Sequence, residues 1–143
     1  MRAYDEASVE PRLQSIVREL EAIRERRPET FQEYEDNEPL RYELEHRLFI
    51  ICQAVLDIAA HVALRQGLLS MGTYGEALEH LGKARILSPD LSERLAPVPQ
   101  MRNALAHEYL GLDNASVFRA LSELEIIEAF VTGMMSWMDA QSR

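Results

Sequence analysis

The segment over residues 99–113, PQMRNALAHEYLGLD, places four chemically capable side chains within eight positions. They are Arg102, Asn103, His107 and Tyr109. Successive residues of an α-helix rotate by about 100°. Asn103 and His107 are therefore expected one turn apart on one face, and Arg102 and Tyr109, seven positions apart, on the neighbouring face. The spacing predicts a guanidinium, an imidazole and a phenol along one side of a short helix.

These residue types suit the cleavage of RNA without a metal ion. In that reaction a base deprotonates the 2′-hydroxyl, and a cation stabilises the charge that develops on the phosphate. Histidine titrates near neutral pH, so His107 is expected to act as that base or as the acid for the leaving group. Arginine stays charged and binds phosphate through a planar fork, which suits Arg102. Asn103 would bind a phosphate oxygen or orient the histidine ring.

Spacing alone favours a plainer interpretation of the same segment. Histidine and arginine near a helix end often bond the last carbonyl groups or interact with the helix dipole. Tyr109 would then be an ordinary buried or interface tyrosine. Without further information, both a catalytic site and a polar helix end remain open.

The pattern Arg-Asn-x-x-x-His-x-Tyr resembles the Arg-x4-His-x-Tyr signature of the HEPN superfamily and, within it, of the HepT-type toxins. The run VLDIAAH at residues 55–61 resembles the Asp-Ile-Ala-x-His run on the second helix of HepT-type proteins. The run GEALEHLGKARILSPDLSERLAP at residues 75–97 resembles their third-helix and helix-turn region. The resemblance covers most of the chain from about residue 40 to the end.

This resemblance implies the toxin of a type VII-like HEPN/MNT toxin–antitoxin system, a metal-independent endoribonuclease that cleaves tRNA or mRNA. It implies that Arg102 and His107 form the catalytic pair and that a homodimer brings two copies of the motif to one cleft. It also implies that Tyr109 accepts AMP from the antitoxin, a minimal nucleotidyltransferase of the MntA type. AMP beside Arg102 would block the substrate phosphate by charge and bulk, which requires an accessible Tyr109.

Two other functions stay open. The chain could be a non-catalytic subunit that binds RNA or nucleotide for a minimal nucleotidyltransferase, and RNA cleavage would separate this function from the first. It could also be a helical bundle used only for dimerisation. Copurification with a nucleotidyltransferase would argue against that last function.

Asp57 and His61 lie one turn apart on the second predicted helix, so they are expected to hydrogen-bond, with Asp57 orienting the ring. A satisfied polar pair at a helix interface is the plainer interpretation, and a supporting role is the most that we predict for them. Cys52 falls on an apolar stretch and is expected to be buried and inert. No metal-ligand spacing or phosphate-binding glycine loop is present, so neither a metal nor a cofactor is predicted.

The net charge of −9 restricts how the chain could meet RNA. Nucleic-acid-binding proteins usually carry a basic face. RNA must therefore enter a local positive pocket, such as one formed between two subunits, or the main partner is a protein with a basic surface. The single cysteine, the lack of an apolar signal region at the start and the short apolar runs favour a cytoplasmic protein with no membrane span.

Apolar residues recur every three or four positions, which predicts an all-α protein: an antiparallel bundle of four to five helices in one domain over residues 1–143. The acidic residues 29–39 are expected to form a short helical turn or a loop. Pro97 and Pro99 should interrupt the chain just before the motif. The predicted helices span residues 8–27, 37–66 (capped by Asn37 and closed by Gly67), 74–81 (after a Gly-Thr cap), a segment opened by Ser88 as cap and Pro89, a motif helix from Pro99 to Gly111, and 113–139 (capped by Asp113 or Asn114).

Overall fold

The computed structural model describes residues 4–68 and 74–142, without the side chains of Tyr74 and Tyr109. Over these residues the fold consists of eight α-helices and one 3-10 turn, Glu108–Leu110. The predicted all-α class is confirmed, and the helices are more numerous than the four to five expected. Their bounds are α1 Glu6–Arg26, α2 Phe31–Glu35, α3 Glu38–Arg65, α4 Tyr74–Lys83, α5 Pro89–Arg94, α6 Val98–Ala106, α7 Asn114–Ser122 and α8 Glu125–Gln141.

The long helix α3 is the centre of the bundle, and α1, α4 and α6 pack against it. Asn37 caps its start, accepting a hydrogen bond from the Leu40 N–H at 3.1 Å, and Gly67 follows its end with a φ of 70°. Both ends agree with the sequence signals for a cap and a stop. By length and composition α3 could cross a membrane, but more than half of its apolar stretch is buried inside the protein. This burial identifies α3 as the core helix of a bundle.

Helix α1 follows its predicted apolar stripe closely. Five stripe residues are buried: Val9, Leu13, Ile16, Leu20 and Ile23. Asp5 caps the helix by accepting a hydrogen bond from the Ala7 N–H. Fully burying a side chain of this type stabilises a fold by roughly 1.5–3 kcal/mol. Burial of the stripe therefore stabilises the packing of α1 against α3.

The last predicted helix is divided, and the acidic segment contains a real helix. Thr30 caps α2, so of the short helical turn or loop expected in this segment, the helical form is observed, over Phe31–Glu35. The C-terminal helix begins after Asp113, one of its two predicted caps, but breaks between α7 and α8. The Arg27 guanidinium donates to the Leu121 carbonyl oxygen at 2.6 Å, which satisfies a carbonyl at the end of α7. This contact spans 94 positions of sequence, so local patterns could not reveal it.

The predicted short helix at residues 74–81 is observed as α4, and Ser88 and Pro89 open α5 as expected. The Gly-Thr cap predicted before α4 lies outside the described residues. Helices α4 and α5 approach closely at Gly82, where an added Cβ would overlap the Cβ and Oγ atoms of Ser92. The Ser92 hydroxyl is itself fixed, because it donates to the Leu78 carbonyl oxygen at 2.7 Å.

Gly82→Ala is therefore expected to destabilise the protein by about 1–3 kcal/mol, in spite of the better helix propensity of alanine. Urea unfolding followed by circular dichroism measures this change. Gly133→Ala is the matched control on α8, because its Cβ would meet only terminal methyl groups, of Leu87 at 3.3 Å and of Leu91 at 3.8 Å. Equal stability of the Gly82→Ala protein and the wild type would contradict the close helix contact.

Candidate functional site

Helix α6 carries the first half of the motif and begins where the prolines predict. Val98 is its first residue, Pro97 precedes it and Pro99 lies in its first turn. Proline is well tolerated there, because the first N–H groups of a helix have no partner within the helix. The helix packs against α3 and buries Leu105. Arg102 is left half-buried at the edge of this contact.

The motif helix ends earlier than predicted. Ala106 is its last residue, and His107 leaves the helical conformation with φ −116° and ψ 37°. The chain then tightens into the 3-10 turn and reaches Gly111, whose φ is 104°. The prediction of one helix up to Gly111 is therefore wrong, whereas a common face for Arg102 and Tyr109 stays a prediction. Tightening of this kind is frequent at helix ends.

Asn103 and His107 are one helical turn apart, as expected. The His107 N–H donates to the Asn103 carbonyl oxygen at 3.1 Å, which closes the last turn of α6. Both side chains are exposed. Tyr109 lies in the 3-10 turn, two positions after His107, and its side chain is outside the described part of the structure. The accessibility of its hydroxyl remains a prediction.

Two amide side chains hold the Arg102 guanidinium. Its Nε donates to Gln53 Oε1 at 2.9 Å, and one terminal nitrogen donates to Asn103 Oδ1 at 2.8 Å. Gln53 belongs to α3, so the guanidinium is bonded to two different helices. A fixed arginine fork of this kind suits an anion with several oxygens, such as a phosphate.

Gln53 is in turn bonded to a residue that the sequence had singled out. Its Nε2 donates to Asp57 Oδ1 at 2.9 Å, and Asp57 Oδ2 lies 3.7 Å from the Arg12 Nε. A continuous polar chain therefore runs from α6 through α3 to α1. Gln53 was not predicted as a site residue, although a polar residue one turn before Asp57 within an apolar helix was a usable signal.

His61 is bonded to the start of α1. Its Nε2 accepts a hydrogen bond from the Asp5 N–H at 2.9 Å, which requires an unprotonated nitrogen. Burial lowers the pKa of His61, and the nearby Arg65 and Arg12 lower it further, while Asp5 opposes them. His61 therefore anchors the capping residue of α1. Asp57, the other member of the predicted pair, is connected to the motif through Gln53.

A small groove of about 300 Å³ lies beside the motif, between α3 and the end of α6. At its wall Glu45 of α3 is only 5% exposed and faces Glu108, the residue after His107. Burial, together with the hydrogen bond and the charge of Glu108, raises the pKa of Glu45 to about 7, and Arg41 opposes this. When Glu45 is protonated, its hydrogen bond with Glu108 connects the 3-10 turn to α3. No local sequence pattern indicated that this carboxyl would be buried. The groove is lined by Tyr42, Glu45, His46, Phe49, Leu105, Ala106 and Glu108.

A carboxyl group with a raised pKa stabilises the fold at low pH. The stabilisation is complete below about pH 4.5, its ordinary pKa, and is lost as the pH rises through about 7. Glu45→Gln, which stays neutral and can still donate to Glu108, should therefore raise the melting temperature by about 5 °C at pH 8 and change it little at pH 4.5.

Thermal unfolding from pH 4.5 to pH 8 checks this expectation. Glu43→Gln is the control of opposite sign, because hydrogen bonds from Arg26 and Arg47 lower the pKa of Glu43. That variant should lose stability near neutral pH. If the Glu45→Gln protein melted below the wild type at pH 8, the raised pKa of Glu45 would be ruled out.

Within the described residues, no group of three or more His, Cys, Asp or Glu side chains could hold a metal ion. Cys52 is buried as predicted, and burial raises its pKa to about 12, so it carries no reactive thiolate. The side chains of Arg102 and His107 are of types that can bind an anion and transfer a proton.

A sequence profile of the family described as ribonuclease HepT-like matches residues 16–134. The chain belongs to the HepT-like ribonuclease family. A curated relative, the tRNA nuclease HepT of Aphanizomenon flos-aquae (strain 2012/KM1/D3), is 33% identical over 114 residues, covering 80% of this chain and 78% of the relative. The family and the ribonuclease class predicted from the motif are thus confirmed. The match also extends further towards the N-terminus than residue 40.

Solved structures show the same fold. A chain of the MntA-HpeT toxin–antitoxin matches with a TM-score of 0.81 at 20% identity, covering 90% of this chain and 98% of that one. The tri-AMPylated Shewanella oneidensis HEPN toxin, solved in complex with its MNT antitoxin, gives 0.81 at 21% identity, with 90% and 97% covered. The cytosolic protein YutE of Bacillus subtilis gives 0.83 at 16% identity, with 99% and 95% covered. The HEPN-like fold expected from the sequence is confirmed.

Proposed function

We propose that this protein is the toxin of a HEPN/MNT toxin–antitoxin pair and cleaves tRNA in the cytoplasm without a metal ion. The observation that carries the proposal is the Arg102 guanidinium, which is bonded to two amide side chains and belongs to the helix that the exposed His107 directly follows. The 33% identity to a tRNA nuclease favours tRNA over mRNA as the substrate.

In the proposed reaction His107 removes the proton of a 2′-hydroxyl, and the freed oxygen attacks the adjacent phosphorus. The bond from phosphorus to the 5′ oxygen breaks, and that oxygen receives a proton. The products are a 2′,3′-cyclic phosphate and a 5′-hydroxyl. Arg102 stabilises the negative charge that builds up on the phosphate oxygens. Asn103, whose side chain accepts from Arg102, helps to place the guanidinium.

A homodimer would supply the second histidine and the additional positive charge that a single chain lacks. Two copies of the motif in one cleft would provide one histidine as base, another as acid, and two guanidinium groups against a net charge of −9 per chain. Large apolar side chains near the motif support such a contact: Tyr42, which lines the groove, is 55% exposed, and Leu110, at the end of the 3-10 turn, is 74% exposed. Side chains of this kind are typical of interface cores.

The antitoxin is proposed to be an MntA-type nucleotidyltransferase that transfers AMP to the Tyr109 hydroxyl. The S. oneidensis HEPN toxin is AMPylated in its complex with an MNT antitoxin, which supports the proposal. Tyr109 follows the proposed catalytic histidine by two positions. A phosphate group there would compete with RNA for Arg102.

Tyr109→Phe is expected to prevent modification and to keep the ribonuclease active in the presence of the antitoxin and ATP. Intact-protein mass spectrometry measures the added AMP groups, and tRNA cleavage measures inhibition. Tyr42→Phe is the control, since Tyr42 is an exposed tyrosine of the same region and should leave modification unchanged. Normal AMPylation of the Tyr109→Phe protein would exclude Tyr109 as the acceptor.

Expression in cells tests the proposal as a whole. The protein alone should arrest growth and deplete tRNA, and coexpression of the nucleotidyltransferase should restore both. Stable copurification without any RNA cleavage would instead identify a non-catalytic partner subunit of the nucleotidyltransferase.

A further inference from the structure

We propose that Gln53 is the positioning residue for Arg102, holding its guanidinium at the angle at which it meets the scissile phosphate. The inference rests on the proposed ribonuclease function. It assigns a role in the reaction to α3, the core helix of the bundle.

The orientation of the Gln53 amide is determined by its two neighbours. Asp57 Oδ1, as a carboxylate oxygen, only accepts hydrogen bonds, and the Arg102 Nε only donates. The amide nitrogen of Gln53 must therefore face Asp57, and its oxygen must face Arg102, as the distances of 2.9 Å on both sides show. Asp57 thus acts through Gln53, since it prevents the amide from turning over.

The choice of an amide also matters for charge. Gln53 and Asn103 both accept from Arg102 through uncharged carbonyl oxygens. A glutamate at position 53 would form an ion pair with the guanidinium and compete with the phosphate for it. An amide fixes the direction of the guanidinium without offsetting its positive charge. This combination suits a group that has to bind an anion during the reaction.

The chain of contacts also explains how a short helix can hold a catalytic group firmly. α6 has nine residues, and its start lacks a side-chain cap. Gln53 and Asp57 belong to the 28-residue core helix α3, and Asp57 lies 3.7 Å from Arg12 of α1. Arg102 is therefore held in place by the core helix of the bundle as well as by its own helix. Sub-ångström placement of such groups strongly affects rates.

Gln53→Met tests the inference, because methionine keeps the length of the side chain and removes both polar atoms. We expect kcat for tRNA cleavage to fall by about 10- to 100-fold, with KM changed by less than about 3-fold. Gln14→Met, at an exposed glutamine of α1, is the matched control and should change neither value. In an Arg102→Lys background, Gln53→Met should cause little further loss, because lysine has no Nε–H for Gln53 to hold.

A second measurement does not depend on activity. The Arg102 Nε–H signal, assigned in a nitrogen–proton NMR spectrum by its absence from Arg102→Lys, should exchange slowly with water in the wild type and faster in Gln53→Met. Unchanged exchange would overturn the inference, and so would faster exchange with an unchanged kcat. If the wild type leaves tRNA intact, the proposed function fails. The NMR comparison alone then shows whether Gln53 holds the Arg102 guanidinium.

Discussion

Replacing His107 with alanine is expected to slow tRNA cleavage by about 100- to 10,000-fold, the usual contribution of a general acid or base. The side chain is exposed and follows the last helical residue, so its removal should leave the fold intact. Single-turnover cleavage with excess protein, followed on denaturing gels, measures the chemical step. Thermal unfolding of the same sample verifies folding.

His80→Ala, on α4, is the matched control for this variant and should cleave tRNA at the wild-type rate. Because two copies of the motif would act in one dimer, mixing His107→Ala with wild-type subunits adds a further check. Wild-type activity in a folded His107→Ala protein would remove histidine from the mechanism.

Replacing Arg102 with alanine is the second change with a large expected effect. Loss of a preorganised charge at a developing oxyanion costs about 100- to 1,000-fold in rate. Arg102→Lys should recover only part of this loss, since lysine keeps the charge but has no planar fork to match the phosphate and Gln53. The rates and KM values of both variants on tRNA measure the effect.

Arg94→Ala is the control for this pair, because Arg94 is an exposed arginine of α5 and its removal changes the net charge equally. It should retain the wild-type rate. Arg102→Ala and Arg94→Ala proteins with equal activity would show that arginine at the motif contributes no more than general charge.

The sequence was most informative where structure depends on neighbours along the chain. The caps at Asn37, Ser88 and Asp113 and the restart of the helix near Pro99 were all predicted from local patterns. The motif residues were found by type and spacing. Such features depend on backbone groups within a few positions, so a single sequence contains the necessary information.

The contacts that complete the site could not be predicted in this way. Gln53 and Arg102 lie 49 positions apart, and their hydrogen bond depends on how α6 is placed on α3. The burial of Glu45 against Glu108 depends on the same packing. The early end of α6 at Ala106 could not be predicted either. The spacing of Arg102 and Tyr109 does not indicate that the chain tightens into a 3-10 turn between Ala106 and Gly111.

The most direct test of a metal-independent ribonuclease is to incubate the pure protein, with Tyr109 shown by mass spectrometry to be unmodified, with total tRNA in EDTA. His107→Ala is treated in parallel. We expect the wild type alone to cleave the tRNA and to leave 2′,3′-cyclic phosphate ends. Intact tRNA with the unmodified wild type, or equal cleavage by His107→Ala, would contradict the proposed mechanism.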